Sequence, residues 1–139
     1  MKFEMIDYSE VYYVTIRTEE MPTNRAGKFV QIRNEHMERE CVVLSPKDLS
    51  LYHAHIVERF CRQNGQIEGE FNEKKDFFRI SDAAWEVVGG GIWSIDSIKK
   101  VLNLSGASQG YGKFDPHGLK QKILSLEKMA GYTVRIDGM

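Results

Sequence analysis

The stretch "LYHAHIVERF", residues 51–60, carries His53 and His55 one residue apart. A neutral imidazole is the side chain best suited to take a proton or attack an electrophile near neutral pH. The segment reads as helix, and in a helix residues i and i+2 point to roughly opposite sides. Leu49, Tyr52, His53, Ile56, Val57 and Phe60 form one apolar stripe, so His53 is expected on the sheet-facing side. His55 falls with Glu58, Arg59 and Arg62 and is expected in solvent, as is His36. A histidine on an apolar stripe is most often a buried residue with a satisfied ring; the functional reading is a base or nucleophile at the sheet edge. A shared metal ion fits poorly. His53 and His55 diverge, His36 and His117 would have to converge on one of them, and no cysteine or acidic motif supports such a site. No metal and no cofactor are expected.

The second candidate is "SGASQGYG", 105–112. A glycine-rich loop between strand and helix presents clustered backbone N–H groups, which suit phosphate oxygens, and Ser108 adds a hydroxyl. Ser108, Gln109 and Gly110 are the expected phosphate-binding residues. The spacing is neither Walker A nor GxGxxG: Phe114 stands where Ser or Thr is needed. Taken alone, the loop reads as a tight connection. The triplet Gly89–Gly91 reads as a bulge or a close backbone approach.

The elements that must position these residues come next. "EVYYVTIRT", 10–18, is β-branched and aromatic and reads as a strand. "MPTNRAG", 21–27, reads as a turn, and "KFVQIRN", 28–34, as a second strand antiparallel to the first. "ECVVLS", 40–45, is a short apolar run. A first helix is expected over about 46–64, with Ser45 as N-cap, Pro46 at N1 and Gly65 as its stop. "DFFRI" suggests a short strand inside a charged excursion, 66–83. "AWEVVGGGIWSI", 84–95, reads as a strand broken or sharply turned at the glycines, and "KKVLNLSG", 99–106, as a strand. A second helix is expected from Asp115 and Pro116 to Gly131, with Leu119, Ile123, Leu126 and Ala130 inward. "YTVRID", 132–137, is a last strand. Strands alternating with two helices point to an α/β sandwich, a sheet covered by helices, in one domain over 1–139.

The 139 residues are 42% hydrophobic and 28% charged, with 19 basic and 20 acidic side chains and a net charge of −1. That balance gives no global attraction to nucleic acid or membrane. The polar start and the absence of a long apolar run argue against a signal peptide or membrane span. Cys41 and Cys61 form no CxxC and read as reduced thiols of a cytoplasmic protein.

Several of these motifs resemble, in order and approximate spacing, those of the protein histidine phosphatases, the Janus/Ocnus family. "YHAHI" at 52–56 resembles their "YHADI", "VVGGG" at 87–91 their "CLGGG", and "GASQGYG" at 106–112 their "GYSMAYG". "YYVTIR" at 12–17 resembles their opening strand "KYVLIR". The resemblance implies a small mixed sheet flanked by two helices. It puts His53 on the catalytic histidine, Ser108 on a phosphate-contacting serine and Gly110 on a residue whose N–H holds phosphate. His117 corresponds loosely to a histidine after that loop. The family's lysine in the first strand falls on Tyr12, and its arginine after the three glycines on Ile92. Both departures remove cations, for which Lys113, Lys28 or Arg33 could substitute.

The implied activity is metal-independent hydrolysis of phosphohistidine on a protein or peptide, by a monomer that binds neither nucleic acid nor membrane. The alternatives are a weak or inactive relative that binds phosphorylated or anionic ligands through the same loop, and an α/β scaffold for protein interaction.

Overall fold

The computed structural model describes residues 2–137; Met1, Gly138 and Met139, the ends of the expected domain, lie outside the described residues. Eight strands run β1 (Lys2–Asp7), β2 (Asn24–Asn34), β3 (Arg39–Pro46), β4 (Gly69–Phe71), β5 (Phe78–Ile80), β6 (Trp85–Asp96), β7 (Val101–Ser105) and β8 (Thr133–Ile136). The helices are α1 (His53–Gln63) and α2 (Leu119–Leu124), with a π-helical turn at Val11–Ile16 and a 3-10 turn at Glu127–Met129. Six strands form one mixed sheet in the order β1-β3-β2-β6-β7-β8, and β4 pairs with β5 in a separate hairpin. The pairs β1–β3 and β7–β8 are parallel, and the others antiparallel.

The central strands are apolar on both faces because each face has its own cover. Phe29, Val42, Leu44, Trp93 and Leu104 pack with Leu119 and Ile123 of α2. Val30, Ile32, Cys41 and Val43 pack with Ile56, Val57 and Phe60 of α1. This is the expected α/β architecture, with less helix than expected.

Segment 10–18 is not a strand. The edge beside β3 is occupied by β1, and residues 11–16 wind into wide turns, with the Arg17 amide bonded to the Tyr12 carbonyl. Strand propensity measures fit to a pleated, half-buried surface, and the place beside β3 is taken by β1. Val14 and Ile16 consequently lie exposed. β2 therefore pairs with β3 and β6 instead of with 10–18.

α1 begins seven residues later than its sequence signals suggest. Pro46 ends β3, paired with Gly27. The Ser45 hydroxyl lies 2.7 Å from that of buried Ser50, and the Ser45 carbonyl accepts from the Trp93 indole at 3.0 Å. Ser45 thus closes a turn instead of capping a helix. β6 runs unbroken through the glycine triplet, with a register shift opposite Gln31 and Ile32.

α2 is also shorter than expected. The Asp115 carboxylate accepts from the His117 amide, and Gly118 adopts φ +69, so Asp115–Gly118 is a turn and the helix starts at Leu119. Leu119 and Ile123 point inward as expected, whereas Ala130 is exposed and Met129 is buried in its place.

Candidate functional site

His53 is the first residue of α1, half-buried where the helix meets β6. Its Nε2 lies 2.9 Å from the Gly91 carbonyl oxygen. A carbonyl can only accept, so Nε2 carries the proton and Nδ1 holds the lone pair of the neutral ring. Desolvation lowers the pKa of His53 below the ordinary histidine value; the bond to Gly91 opposes this, and the Lys28 charge adds to it. The positive end of α1 acts in the same direction, because His53 lies in the first turn and not beyond it.

The glycine triplet is what lets the site assemble. A Cβ on Gly90 would stand 2.6 Å from the Phe29 carbonyl oxygen, 2.8 Å from His53 Cδ2 and 3.2 Å from Ser108 Cβ. His53 and Ser108 are therefore neighbours across Gly90. The close-approach reading of the triplet holds.

The loop 106–112 crosses beside the histidine. Ser108 is buried, with its amide bonded to the Gly112 carbonyl at 3.0 Å and its Oγ accepting from the Tyr111 amide at 3.1 Å. The Ser108 amide is thus occupied, while its hydroxyl proton can still donate. The amides of Gln109 and Gly110 make no intramolecular bond among the described residues, and both residues are exposed. His53, Ser108, Gln109 and Gly110 line one cavity of about 440 Å3.

Lys28 lines the same cavity, paired across the sheet with Ile92. It opens "KFVQIR", 28–33, which carries the lysine, valine, isoleucine and arginine of the "KYVLIR" strand better than 12–17 does. The structure thus brings Lys28 to the cavity, and not Tyr12, on which the resemblance placed the lysine. Tyr12 is buried in the π-helical turn, where its hydroxyl accepts from Arg17 at 3.3 Å, and it does not line the cavity. Ile92 stands at the cavity, about half exposed.

The other substitutes are elsewhere. Arg33 pairs with Glu40 and Asp115 on the α2 face, because side chains alternate along β2 and Lys28 and Val30 face α1. Lys113 donates to the Gly106 carbonyl, pairs with Asp137 at 3.6 Å and covers the Phe114 ring. His117 is exposed and does not line the cavity. His36 is exposed as expected. His55 is half-buried and not in open solvent, packed edge-on against Tyr52 and Phe71, because the β4–β5 hairpin covers that side of α1.

The hairpin supplies wall residues that the sequence did not signal. Phe77 and Asp76 line the cavity, and Phe77 stacks on Tyr111 at 4.7 Å. The Tyr111 hydroxyl donates to the Phe78 carbonyl at 2.6 Å and accepts from its amide, tying hairpin to loop. Burial pushes that phenol up to about 12. Asp76 is held in its own turn by Asn72. Among the described residues, no group of three or more His, Cys, Asp or Glu side chains converges as metal ligands, and no helix is long and apolar enough to cross a membrane.

No curated protein matches the chain. The Janus/Ocnus family model matches residues 10–133, nearly the whole chain. With the histidine, the glycine triplet and the loop in that order, the chain belongs to the Janus/Ocnus family.

Proposed function

We propose that this protein hydrolyses the P–N bond of phosphohistidine in a protein or peptide, without a metal. The observation that carries the reading is the His53–Gly91 contact, which leaves Nδ1 unprotonated on a neutral imidazole that lines the same cavity as Gln109 and Gly110. The amides of these two residues and Lys28 would hold the phosphoryl oxygens and offset their charge. His53 Nδ1 takes a proton from water as its oxygen bonds to phosphorus. The P–N electron pair returns to the substrate imidazole, which leaves with the proton that His53 took from water, so that His53 is neutral again. In the variant in which Nδ1 attacks phosphorus directly, a phosphorylated His53 intermediate forms and water then releases it.

A second reading is supported by Ile92, which offers no cation at the cavity rim. In it the protein binds a phosphorylated or anionic ligand and turns it over weakly or not at all.

The test is turnover of a phosphohistidine peptide in EDTA by the parent, His53→Ala and His55→Ala. The expected result is turnover lost in His53→Ala and largely kept in His55→Ala. Thermal stabilisation by phosphate without turnover in the parent supports the binder. Neither turnover nor stabilisation overturns both. Trapping of phosphorus on His53 separates nucleophile from base.

A further inference from the structure

We propose that the uncovered sheet face beside His53 docks an acidic segment of the polypeptide that bears the phosphohistidine; this rests on the phosphohistidine reading. α1 packs against β2, β3 and the β4–β5 hairpin. Beyond the His53–Gly91 contact, no helix among the described residues packs over the α1 side of β6, β7 and β8. Ala26, Ser94, Asn103 and Arg135 form one cross-strand row there, each paired with the next, and none belongs to either hydrophobic cluster.

Two depressions lie along this face. One of about 310 Å3 shares Lys28 and Ile92 with the His53 cavity. It shares Ala26, Ser94 and Asn103 with a second of about 460 Å3. Together they make a groove that follows β6 from Ile92 to Asp96, roughly 13 Å at the rise of a strand. About four residues of extended chain span that length.

The charge of the groove selects its occupant. Lys28, Lys47, Lys99 and Arg135 line it, and none of the four forms an ion pair among the described residues. Arg25 at the far end is already paired with Asp7 at 3.3 Å. The one lining acid, Asp96, accepts from the Ile98 and Lys99 amides and holds the β6–β7 turn. In a chain of net charge −1 this is a local concentration of positive charge. The lining polar groups, Ser94, Asn103 and Ser105, suit a peptide backbone. Among the described residues the one aromatic lining it, Trp93, is buried with its indole bonded to Ser45, so it offers no platform for stacking bases.

The test uses the full chain and four probes, followed by NMR of the backbone amides: inorganic phosphate, an unphosphorylated peptide of about twelve residues with a cluster of Asp and Glu beginning about two residues from a histidine, the same peptide with Asn and Gln instead, and a single-stranded oligonucleotide of equal charge. The acidic peptide is expected to move the Ser94, Asn103 and Arg135 amides. Lys99→Glu combined with Arg135→Glu, both exposed, is expected to weaken it about tenfold or more. The same variant should leave turnover of a phosphohistidine peptide without acids unchanged. Phosphate shifts at Gln109 and Gly110 without groove shifts by the acidic peptide overturn the groove alone. Groove shifts without phosphate shifts support the groove and count against the phosphohistidine reading. Equal binding of the Asn/Gln peptide, or tighter binding of the oligonucleotide, overturns the proposal.

Discussion

His53 Nε2 sits 2.9 Å from the carbonyl oxygen of Gly91, a residue 38 positions away on β6. This bond sets the tautomer: a proton on Nε2 leaves the basic lone pair on Nδ1. It also ties the first turn of α1 to the strand beneath the 106–112 loop.

The pH dependence follows from the lowered pKa of His53. Turnover should be flat near neutrality and fall on acidification, with its midpoint below the ordinary histidine value of about 6.5. The stability sign is the same. The unfolded chain takes up the proton first, so the contribution of a neutral His53 is present above the unfolded pKa and is lost as pH falls from there toward the folded pKa. A pH–kcat profile and NMR titration of the His53 ring check both; a ring midpoint above 6.5 would contradict them.

Lys28 should be the main cation of the site. Lys28→Gln removes one charge-assisted contact, worth about 1.5–3 kcal/mol, which corresponds to roughly ten- to a hundredfold in kcat/KM. Ile92→Arg, across the sheet from Lys28, should raise kcat/KM within the same range. Tyr12→Lys should do nothing for activity, since Tyr12 does not line the cavity. Phosphohistidine-peptide kinetics of the three variants decide this.

Gly90→Ala should disable the site while sparing the outer sheet. The added methyl meets the Phe29 carbonyl at 2.6 Å, and backbone in a paired central strand cannot yield as a side chain could. Destabilisation of about 1–3 kcal/mol is expected from overpacking. Displacement of His53 from Ser108 should lower kcat beyond what that loss explains. Urea unfolding and kinetics on the same preparation test this, and full activity with unchanged stability would refute it.

Glu40 is the stability prediction away from the site. It is buried, with Arg33 at 3.0 Å and Lys122 of α2 at 3.1 Å. Glu40→Ala removes the acid that both cations share; since both are partly solvated and Arg33 keeps Asp115, the cost should be about 1–3 kcal/mol. Because Gln31 lies 3.4 Å from Glu40 and also binds the Asp115 amide at 2.7 Å and its carbonyl at 3.1 Å, the Asp115 amide should shift as well. Chemical denaturation and amide spectra provide the check.

The sequence by itself determined the class of fold and named most of the residues that line the candidate site. Alternation and apolar runs locate β2, β3, β6, β7 and β8, because period-2 burial is a local property of a strand. The glycine triplet and the 105–112 loop are legible for a similar reason: glycine marks places where a side chain cannot fit. Competition for partners is not local, and there the sequence misled. Residues 10–18 have strand propensity, but the sheet edge went to 2–7. Ser45 and Pro46 carry helix-start chemistry, yet Ser50 and Trp93 engage Ser45 across the fold. Only the tertiary structure decided that Lys28 faces His53 while Arg33 faces Glu40. It alone brought Phe77 to Tyr111 from a charged excursion, and it fixed the proton of His53 through a carbonyl on another strand. Those outcomes depend on which surfaces meet, and no window of sequence contains both partners.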